Sequence, residues 1–325
     1  MLEVITFGSA SGDIFLRDKK IRPIQDKRFF NGEGVGFSLG SKIEIDELYF
    51  STGGGGTNAA ATFLSQGFQT AYCGGVGKDW LGQEIINDLK RRGARISLIF
   101  QKSKKATNTS IILSISKKDR TILAYKGASE DFSLDGFFKS GILARWFYLA
   151  PLSGKLVNSF GGLVDFAVRA GVKVAVNLGE DQLNLPAQKL KEILKKTNIL
   201  ILNQEETARL TKLPFSQKDK MIKKIKGFYP GIFVMTMGIK GALILDKNHL
   251  YSVGILKSKV IDRTGAGDSF GSGFVAAIMR GDETKKAIQF ASANATGCLK
   301  EWGAKNGLLE KGVSYKKIKV QVNPR

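Results

Sequence analysis

The chain of 325 residues is poor in the side chains on which many metal and nucleophile sites depend, with one histidine, two cysteines and six prolines. That inventory excludes a histidine-rich metal centre, a zinc site built from four cysteines and a disulfide framework. A Ser/His or Cys/His hydrolase would have to rest on His249. That residue follows Lys247-Asn248, which reads as a turn at the end of a strand, and so as a solvated position. The two cysteines show no pairing pattern, which fits a reducing, cytoplasmic compartment. No apolar run approaches the roughly 18 residues of a membrane-spanning helix, so no membrane partner is expected. Met1–Phe7 lacks the basic segment and long apolar core of a secretory signal and reads as a strand. There is no internal repeat, no proline-rich linker and no Gly-x-x-x-x-Gly-Lys-Ser/Thr phosphate loop.

Acidic residues are outnumbered, 29 Asp+Glu against 50 Lys+Arg, leaving a formal net charge of +21. The densest basic run, Lys189 to Lys226, alternates with Leu190, Ile193, Leu194, Met221, Ile222 and Ile225 at helical spacing. That pattern describes two solvated helix faces rather than a nucleic-acid groove. No specific nucleic-acid partner is expected, although the charge alone keeps a nucleic-acid-binding protein as an alternative. Attraction of an anionic substrate or nucleotide accounts for the sign more simply.

What is present is the pattern of an α/β protein. Trp146–Leu149, Val172–Val176, Ile199–Leu202 and Ile232–Thr236 read as short apolar strands, separated by amphipathic helices over Lys155–Ala170 and Pro186–Lys196. Such alternation predicts a mostly parallel sheet covered on both faces. Two segments break the rhythm. Phe15–Phe50 is polar and glycine-rich before alternating over Lys42–Leu48, and Ile96–Tyr125 alternates around Thr109–Ile115 and Thr121–Leu123. Alternation means strands with one wet face, suited to a small β flap over a site.

Glycine clusters at two helix starts. Gly53-Gly54-Gly55-Gly56-Thr57-Asn58 runs into an alanine-rich helix, where bare amides and the Asn58 amide favour a hydroxyl-rich or anionic ligand. Gly54-x-Gly56-x-x-Ala59 also has the spacing of a dinucleotide site, which keeps a dinucleotide-dependent oxidoreductase as an alternative. Its acidic partner would be Asp79, whose place in a loop opening the next helix equally predicts an N-cap. The second cluster, Asp262-Arg263-Thr264-Gly265-Ala266-Gly267-Asp268, leads into an apolar helix. Small residues at a helix N-terminus form an anion hole, and Asp268 beside it is suited to take the proton of an attacking hydroxyl.

Together these two clusters resemble the signatures of the ribokinase-like (PfkB) carbohydrate kinase family. Gly53, Gly54, Gly56, Asn58, Ala60, Gly67 and Gly77 match the upstream one, and Asp262 through Asp268 the downstream Asp-x-Thr-Gly-Ala-Gly-Asp. The resemblance covers nearly the whole chain. It implies a single kinase domain over 1–325: a three-layer α/β/α core with a mostly parallel sheet, and a small β-sheet lid from about 14–50 and 96–126. It implies ATP-dependent phosphorylation of a sugar hydroxyl, with a nucleoside kinase or a sugar-phosphate kinase as alternatives. Asp268 then resembles the catalytic base, and Gly265, Ala266 and Gly267 the anion hole. Asp13, Gly54, Gly55 and Asn58 fall where the sugar is held. Asn203 and Glu206 match an Asn-x-x-Glu motif for magnesium and phosphates, the contact passing through water. Thr236, Gly238 and Gly241 match the nucleotide loop, and Asn294 a position near the adenine. Asp262 and Thr264 fall where some members bind a monovalent cation such as K+. The edge strands of such a lid could pair between subunits in a homodimer or remain exposed, so the oligomeric state stays open.

Three departures bear on ribose as the acceptor: Gly55 where ribokinases carry lysine, Ser11 where they carry asparagine, and no glutamate around Ala150-Pro151-Leu152. A phosphorylated acceptor would need a cation in the cleft, for which Lys104, Lys105 and Arg120 are candidates.

Overall fold

The computed structural model describes residues 1–18, 21, 23–29, 32–115 and 119–324, with only the backbone of 114, 115, 119 and 120. The chain opens with β1 (Leu2–Phe7), β2 (Ser11–Asp18), the short pair β3 (Ile24–Gln25) and β4 (Glu33–Gly34), and β5 (Glu47–Gly53). Helix α1 (Gly55–Ser65), β6 (Thr70–Gly75), α2 (Trp80–Arg91) and β7 (Ile99–Phe100) follow, then β8 (Asn108–Ile115) and β9 (Asp119–Tyr125). Next come α3 (Asp135–Ser140), β10 (Ala144–Leu149), α4 (Lys155–Asn158), α5 (Phe160–Arg169), β11 (Lys173–Asn177), α6 (Glu180–Leu183) and α7 (Ala187–Leu194). The chain continues through β12 (Ile199–Asn203), α8 (Gln204–Thr211), α9 (Lys218–Lys226), β13 (Ile232–Thr236), β14 (Ala242–Leu245) and β15 (His249–Val253). It ends with α10 (Ala266–Met279), α11 (Thr284–Cys298) and β16 (Val320–Pro324).

Ten strands form the main sheet in the order β16-β15-β14-β13-β12-β11-β10-β1-β6-β7. Pairing is parallel from β7 through β13 and antiparallel beyond. Alternate side chains of β1 and β10 through β13 enter two separate cores, and Tyr72 of β6 joins a third, smaller one with Ile85 and Leu89 of α2. Val4, Trp146, Tyr148, Ala175 and Ile201 pack with Phe63, Phe274 and Ile288 from α1, α10 and α11. Ile5, Phe147, Val174, Leu200 and Phe233 pack with Leu163, Ile193 and Ile225 from α5, α7 and α9. Helices therefore cover both faces, which is why these strands read as unbroken apolar runs. A fully buried Phe or Leu contributes roughly 1.5–3 kcal/mol by leaving water, so the two cores hold the layers together.

A second sheet, β5-β2-β8-β9, stands apart from the first. β2 pairs antiparallel with β5 and parallel with β8. Lys42–Leu48 was expected as strand, but β5 begins only at Glu47. Its partner β2 ends at Asp18, one residue past the Arg17–Glu47 pair, so 42–46 run beyond the reach of its ladder. The helix expected over 155–170 breaks at Ser159 into α4 and α5. His249 opens strand β15 rather than lying in a loop. Asp246 Oδ1 accepts from the amides of Asn248 and His249 at 2.9 and 2.8 Å, and this closes the β14–β15 turn.

Candidate active site

β1 pairs with β6 on one side and β10 on the other, and the crevice past the carboxyl ends of two such diverging strands is where open α/β sheets bind ligands. α1 starts there. Its N-cap, Gly54, has φ 97, and a β-carbon on it would lie 2.5 Å from the Ser9 carbonyl, so only glycine can carry the chain along this path. The Gly56 amide of the first turn donates to the Ser9 carbonyl at 3.1 Å, and Gly55 and Gly56 place no side chain of their own in front of the helix start. Asn58 Nδ2, one turn in, donates to Asp268 Oδ2 at 2.8 Å.

Asp268 sits in the first turn of α10, a 14-residue helix whose N-terminal dipole favours a carboxylate. The helix N-cap is Gly265 at φ 76, with Ala304 filling the place a side chain would need. Burial raises the Asp268 carboxyl above its ordinary value, the Asn58 bond opposes the rise and the charge of Asp13 adds to it. The second oxygen, Oδ1, lies across Gly55, 3.7 Å from where a β-carbon would stand.

Asp13 comes from the second sheet. It lies in β2, largely buried, with Ser11 Oγ donating to Oδ1 at 2.9 Å and the carboxylate packed on Gly53. Burial raises its carboxyl too, against hydrogen bonds from Ser11 and Ser110 and the charge of Lys305. Glu206 is the third carboxyl that burial pushes up, and Glu205 and Asp268 add to that rise. Glu206 and Asn203 form a capping box at the start of α8. The Asn203 amide donates to Glu206 Oε2 at 2.7 Å and the Glu206 amide to Asn203 Oδ1 at 2.8 Å. Asn203 also lies opposite Thr236 in the β12–β13 ladder. The Gly53–Asn58 and Asp262–Asp268 motifs, Asp13 and Glu206 are thus gathered around one crevice.

Beside α10 a cavity of about 520 Å³ is lined by Thr236, Gly238 and Gly241 from the β13–β14 turn, by Ala266 and Gly267, and by Ile239, Ile255, Leu256, Val260, Phe270 and Leu299. It joins a set of apolar side chains to the N-terminal turn of α10. Lys257 and Arg263 also line it. Sequence reasoning missed both, and Arg263 stood at the variable position of the downstream motif.

Asn294 does not line this cavity. It is fully buried, Nδ2 donating to the Ser269 carbonyl at 2.8 Å and Oδ1 accepting from the Leu309 amide at 2.9 Å. Ser292, Ala295 and Thr296 line the cavity instead, because helical periodicity turns residue 294 to the far side of α11. Asp262 acts as a loop clasp. Its Oδ1 accepts from Thr264 N and Oγ1 at 3.0 and 2.9 Å, and its Oδ2 from Gly303 N at 3.1 Å. Asp79 proves to be an N-cap: Oδ1 accepts from the Gly82 amide at 2.8 Å and Oδ2 from the Thr107 amide at 2.7 Å. Among the described residues no group of three or more His, Cys, Asp or Glu side chains is placed to hold a metal ion. No helix among them is long and apolar enough to cross a membrane.

Residues 28–311 match the pfkB family carbohydrate kinase description. The chain belongs to the pfkB carbohydrate kinase family. It is therefore a phosphotransferase with an alcohol group as acceptor. A nucleoside kinase of Methanothermobacter thermautotrophicus is 26% identical over 271 residues, 83% of this chain and 85% of that protein. A ribokinase of Arabidopsis thaliana is 26% identical over 318 residues, 93% of this chain and 77% of that protein. The structure of Arabidopsis thaliana ribokinase complexed with ribose and ATP superposes with a TM-score of 0.79 at 21% identity, covering 95% of this chain and 96% of that one. The nucleoside kinase of Methanocaldococcus jannaschii gives 0.71 at 21% identity, with 95% of each chain covered. This is the three-layer kinase core with a small second sheet that the two glycine motifs led us to expect.

Proposed function

We propose that the chain transfers the terminal phosphoryl group of ATP to a hydroxyl of a small sugar-like acceptor, with Asp268 as general base. The placement of Asp268 carries this reading. The residue stands at a helix N-terminus between the acceptor crevice and the nucleotide-sized cavity, with one oxygen tied to Asn58 and the other across Gly55. The acceptor hydroxyl, held by Asp13, Asn58 and the amides around Gly54 and Gly55, gives its proton to Asp268 Oδ1 as its oxygen bonds to the terminal phosphorus. The bond from that phosphorus to the bridging oxygen breaks and ADP leaves. The amides of Gly265, Ala266 and Gly267 meet the charge that develops on the transferring group. The Asn58 bond fixes the base, so little reorganisation is needed at the moment of transfer.

The nucleotide would lie along Thr236, Gly238 and Gly241, with Asn203 and Glu206 at its phosphates. Glu206, a carboxylate within the field of Asp268, suits a magnesium ion held through water, and such an ion neutralises phosphate charge. Asp262 and Thr264 are a poorer match to K+. Donors of the chain itself already bond to both Asp262 oxygens.

Acceptors of this class include a free pentose and the ribosyl group of a nucleoside, which share vicinal hydroxyls for Asp13 to bind. A sugar phosphate would need a cation in the cleft. Lys104 and Lys105 are exposed ahead of β8, and the Arg120 side chain lies outside the described residues. The second sheet, within 14–50 and 96–126, would act as a lid that keeps water from the phosphoryl group, the remainder of 1–325 forming the core of one kinase domain. Its strands leave Leu48, Phe50, Leu123 and Tyr125 about half exposed, apolar surface that a second copy of the lid would cover. We place the enzyme in the cytoplasm, where the free, buried Cys73 and Cys298 stay reduced.

The test is ADP release by the purified protein with Mg-ATP and a panel of pentoses, hexoses, sugar phosphates and nucleosides. Turnover on one acceptor that collapses in Asp268→Asn supports the reading. No binding of ATP would refute it.

A further inference from the structure

Lys305 has no part in the chemistry above, yet its side chain is 2% exposed and lies under the acceptor strands. Its Nζ donates to Thr52 Oγ1 at 2.8 Å and to Asp88 Oδ2 at 3.2 Å. Thr52 Oγ1 itself donates to Asp88 Oδ2 at 2.6 Å. On the other side of the carboxylate, Arg92 Nε donates to Asp88 Oδ1 at 2.9 Å, and Arg92 Nη1 reaches the Lys305 carbonyl at 3.4 Å. Thr52 faces Gly12 in the β2–β5 ladder and Ser51 faces Asp13, so the ammonium is anchored one register step from Asp13.

The backbone around Lys305 is anchored to the opposite wall of the crevice. Gly303 N donates to Asp262 Oδ2 at 3.1 Å, and Ala304 occupies the space beside Gly265. One residue earlier, the Trp302 ring stacks on Tyr49 with centroids 5.7 Å apart and meets Phe15 edge-on at 5.7 Å. Residues 302–305 therefore bridge the second sheet and the loop that starts α10. Burying an ammonium costs free energy even when it is paired, whereas an apolar side chain of similar length would fill the space without that cost. The charge needs a use, and its contacts indicate one.

We propose that Lys305 is a positioning residue for phosphoryl transfer, locking the strands that carry Asp13 onto the loop behind Gly265–Gly267. The catalytic consequence rests on the kinase reading; the lock itself does not. With the ammonium in place, the acceptor held by Asp13 and the anion hole at α10 keep one fixed separation, and in-line transfer depends on that separation. The groups facing the ammonium are Asp88 from α2, Arg92 at the C-cap of that helix, Asp13 from β2 and the neutral Thr52 from β5. Burial brings the Lys305 ammonium down to about 8, against the opposing pull of Asp88 and Asp13, with Arg92 adding to the fall. The lock is therefore charged below that pH and loses its charge above it.

Two variants test this, Lys305→Met and the double variant Asp88→Asn with Lys305→Met. The double variant removes both charges and supplies the same readouts should the single one fail to fold. With the acceptor that the wild type turns over, the variant should raise the acceptor KM about tenfold or more and leave the KM for Mg-ATP within about twofold. In the wild type, kcat/KM for the acceptor should fall as pH rises through about 8, and that limb should be missing in the variant. Hydrogen exchange should quicken in peptides covering 47–56 and 299–309 and remain unchanged in β11 and β12. An equal rise in both KM values, an unchanged acceptor KM or unchanged exchange in those two peptides would overturn the proposal. If no acceptor is turned over by the wild type, the kinase reading fails, and the exchange measurement still decides on the lock.

Discussion

Replacing Asp268 by asparagine removes a proton acceptor and almost no volume, so the structure sets tight expectations for the outcome. Asn58 Nδ2 donates to Asp268 Oδ2 at 2.8 Å. An asparagine at 268 can keep that bond by turning its carbonyl oxygen towards Asn58, which points its NH2 group across Gly55 at the acceptor. The acceptor hydroxyl then meets a donor where it needs a base. General-base catalysis contributes roughly 10²- to 10⁴-fold, so kcat should fall by that factor, about 3–5.5 kcal/mol in the barrier. The KM for Mg-ATP should move little, because the cavity proposed for the nucleotide is lined by the β13–β14 turn and by Ala266 and Gly267, which the substitution leaves in place.

The same carboxyl also makes the stability of the fold depend on pH. The folded state raises the Asp268 carboxyl, chiefly through burial, so it holds that proton more tightly than the unfolded chain does. The protonated form stabilises the fold below the ordinary carboxylate range, and this contribution is lost as pH rises through the raised value. At neutral pH the wild type therefore carries an ionised group in an unfavourable setting. The neutral asparagine should melt at the same temperature or higher. The acid limb of wild-type kcat/KM should also lie above the range of an ordinary aspartate. A coupled ADP-release assay with thermal unfolding reads all of this. An Asp268→Asn enzyme within tenfold of the wild-type kcat, on a substrate for which chemistry limits the rate, would refute the assignment of the base.

Other substitutions address the remaining parts of the site. Gly54→Ala forces a side chain into a left-handed residue 2.5 Å from the Ser9 carbonyl and should cost about 1–3 kcal/mol in chemical denaturation, with a weakened acceptor KM. Glu206→Gln removes the carboxylate proposed for the magnesium ion while keeping the geometry of the capping box. It should raise the magnesium concentration needed for half-maximal rate by about tenfold without changing the acceptor KM, as a magnesium titration would reveal. Leu48→Asp combined with Leu123→Asp charges the apolar surface of the second sheet. It should convert a dimer to monomers in light scattering, and a wild type that is already monomeric would discard that arrangement.

What could be read from the sequence follows from where the information lies along the chain. β10 through β13 were visible because both faces of the sheet are covered, so each strand is a continuous apolar run between amphipathic helices. The two glycine motifs were visible because each is contiguous at a helix start, where Gly54 at φ 97 and Gly265 at φ 76 hold backbone that other residues rarely adopt. Lys42–Leu48 alternates convincingly, yet alternation states only which face would be wet and says nothing of whether a partner strand extends that far. Asn294, read from the sequence as a position near the adenine, lies off the face of α11 that lines the cavity, where Ser292 and Thr296 stand. Choosing among residues of one helix requires knowing which face the adjoining helix covers.

The Lys305 network lies at the far end of this scale. Its ammonium bonds to Thr52 and Asp88 across separations of 253 and 217 residues, with no local pattern at any of the three positions. Nothing in the sequence marks Lys305, among 50 lysines and arginines, as a buried one. Local motifs thus supply the reacting groups, whereas the distance between acceptor and phosphate is set by contacts that only the assembled fold brings together. Function can be assigned in such a chain from two short motifs, but acceptor choice depends on the shape and charge of the crevice. On our proposal, the Lys305–Asp88–Thr52 junction beneath Asp13 is one place where this protein sets the distance between acceptor and phosphate.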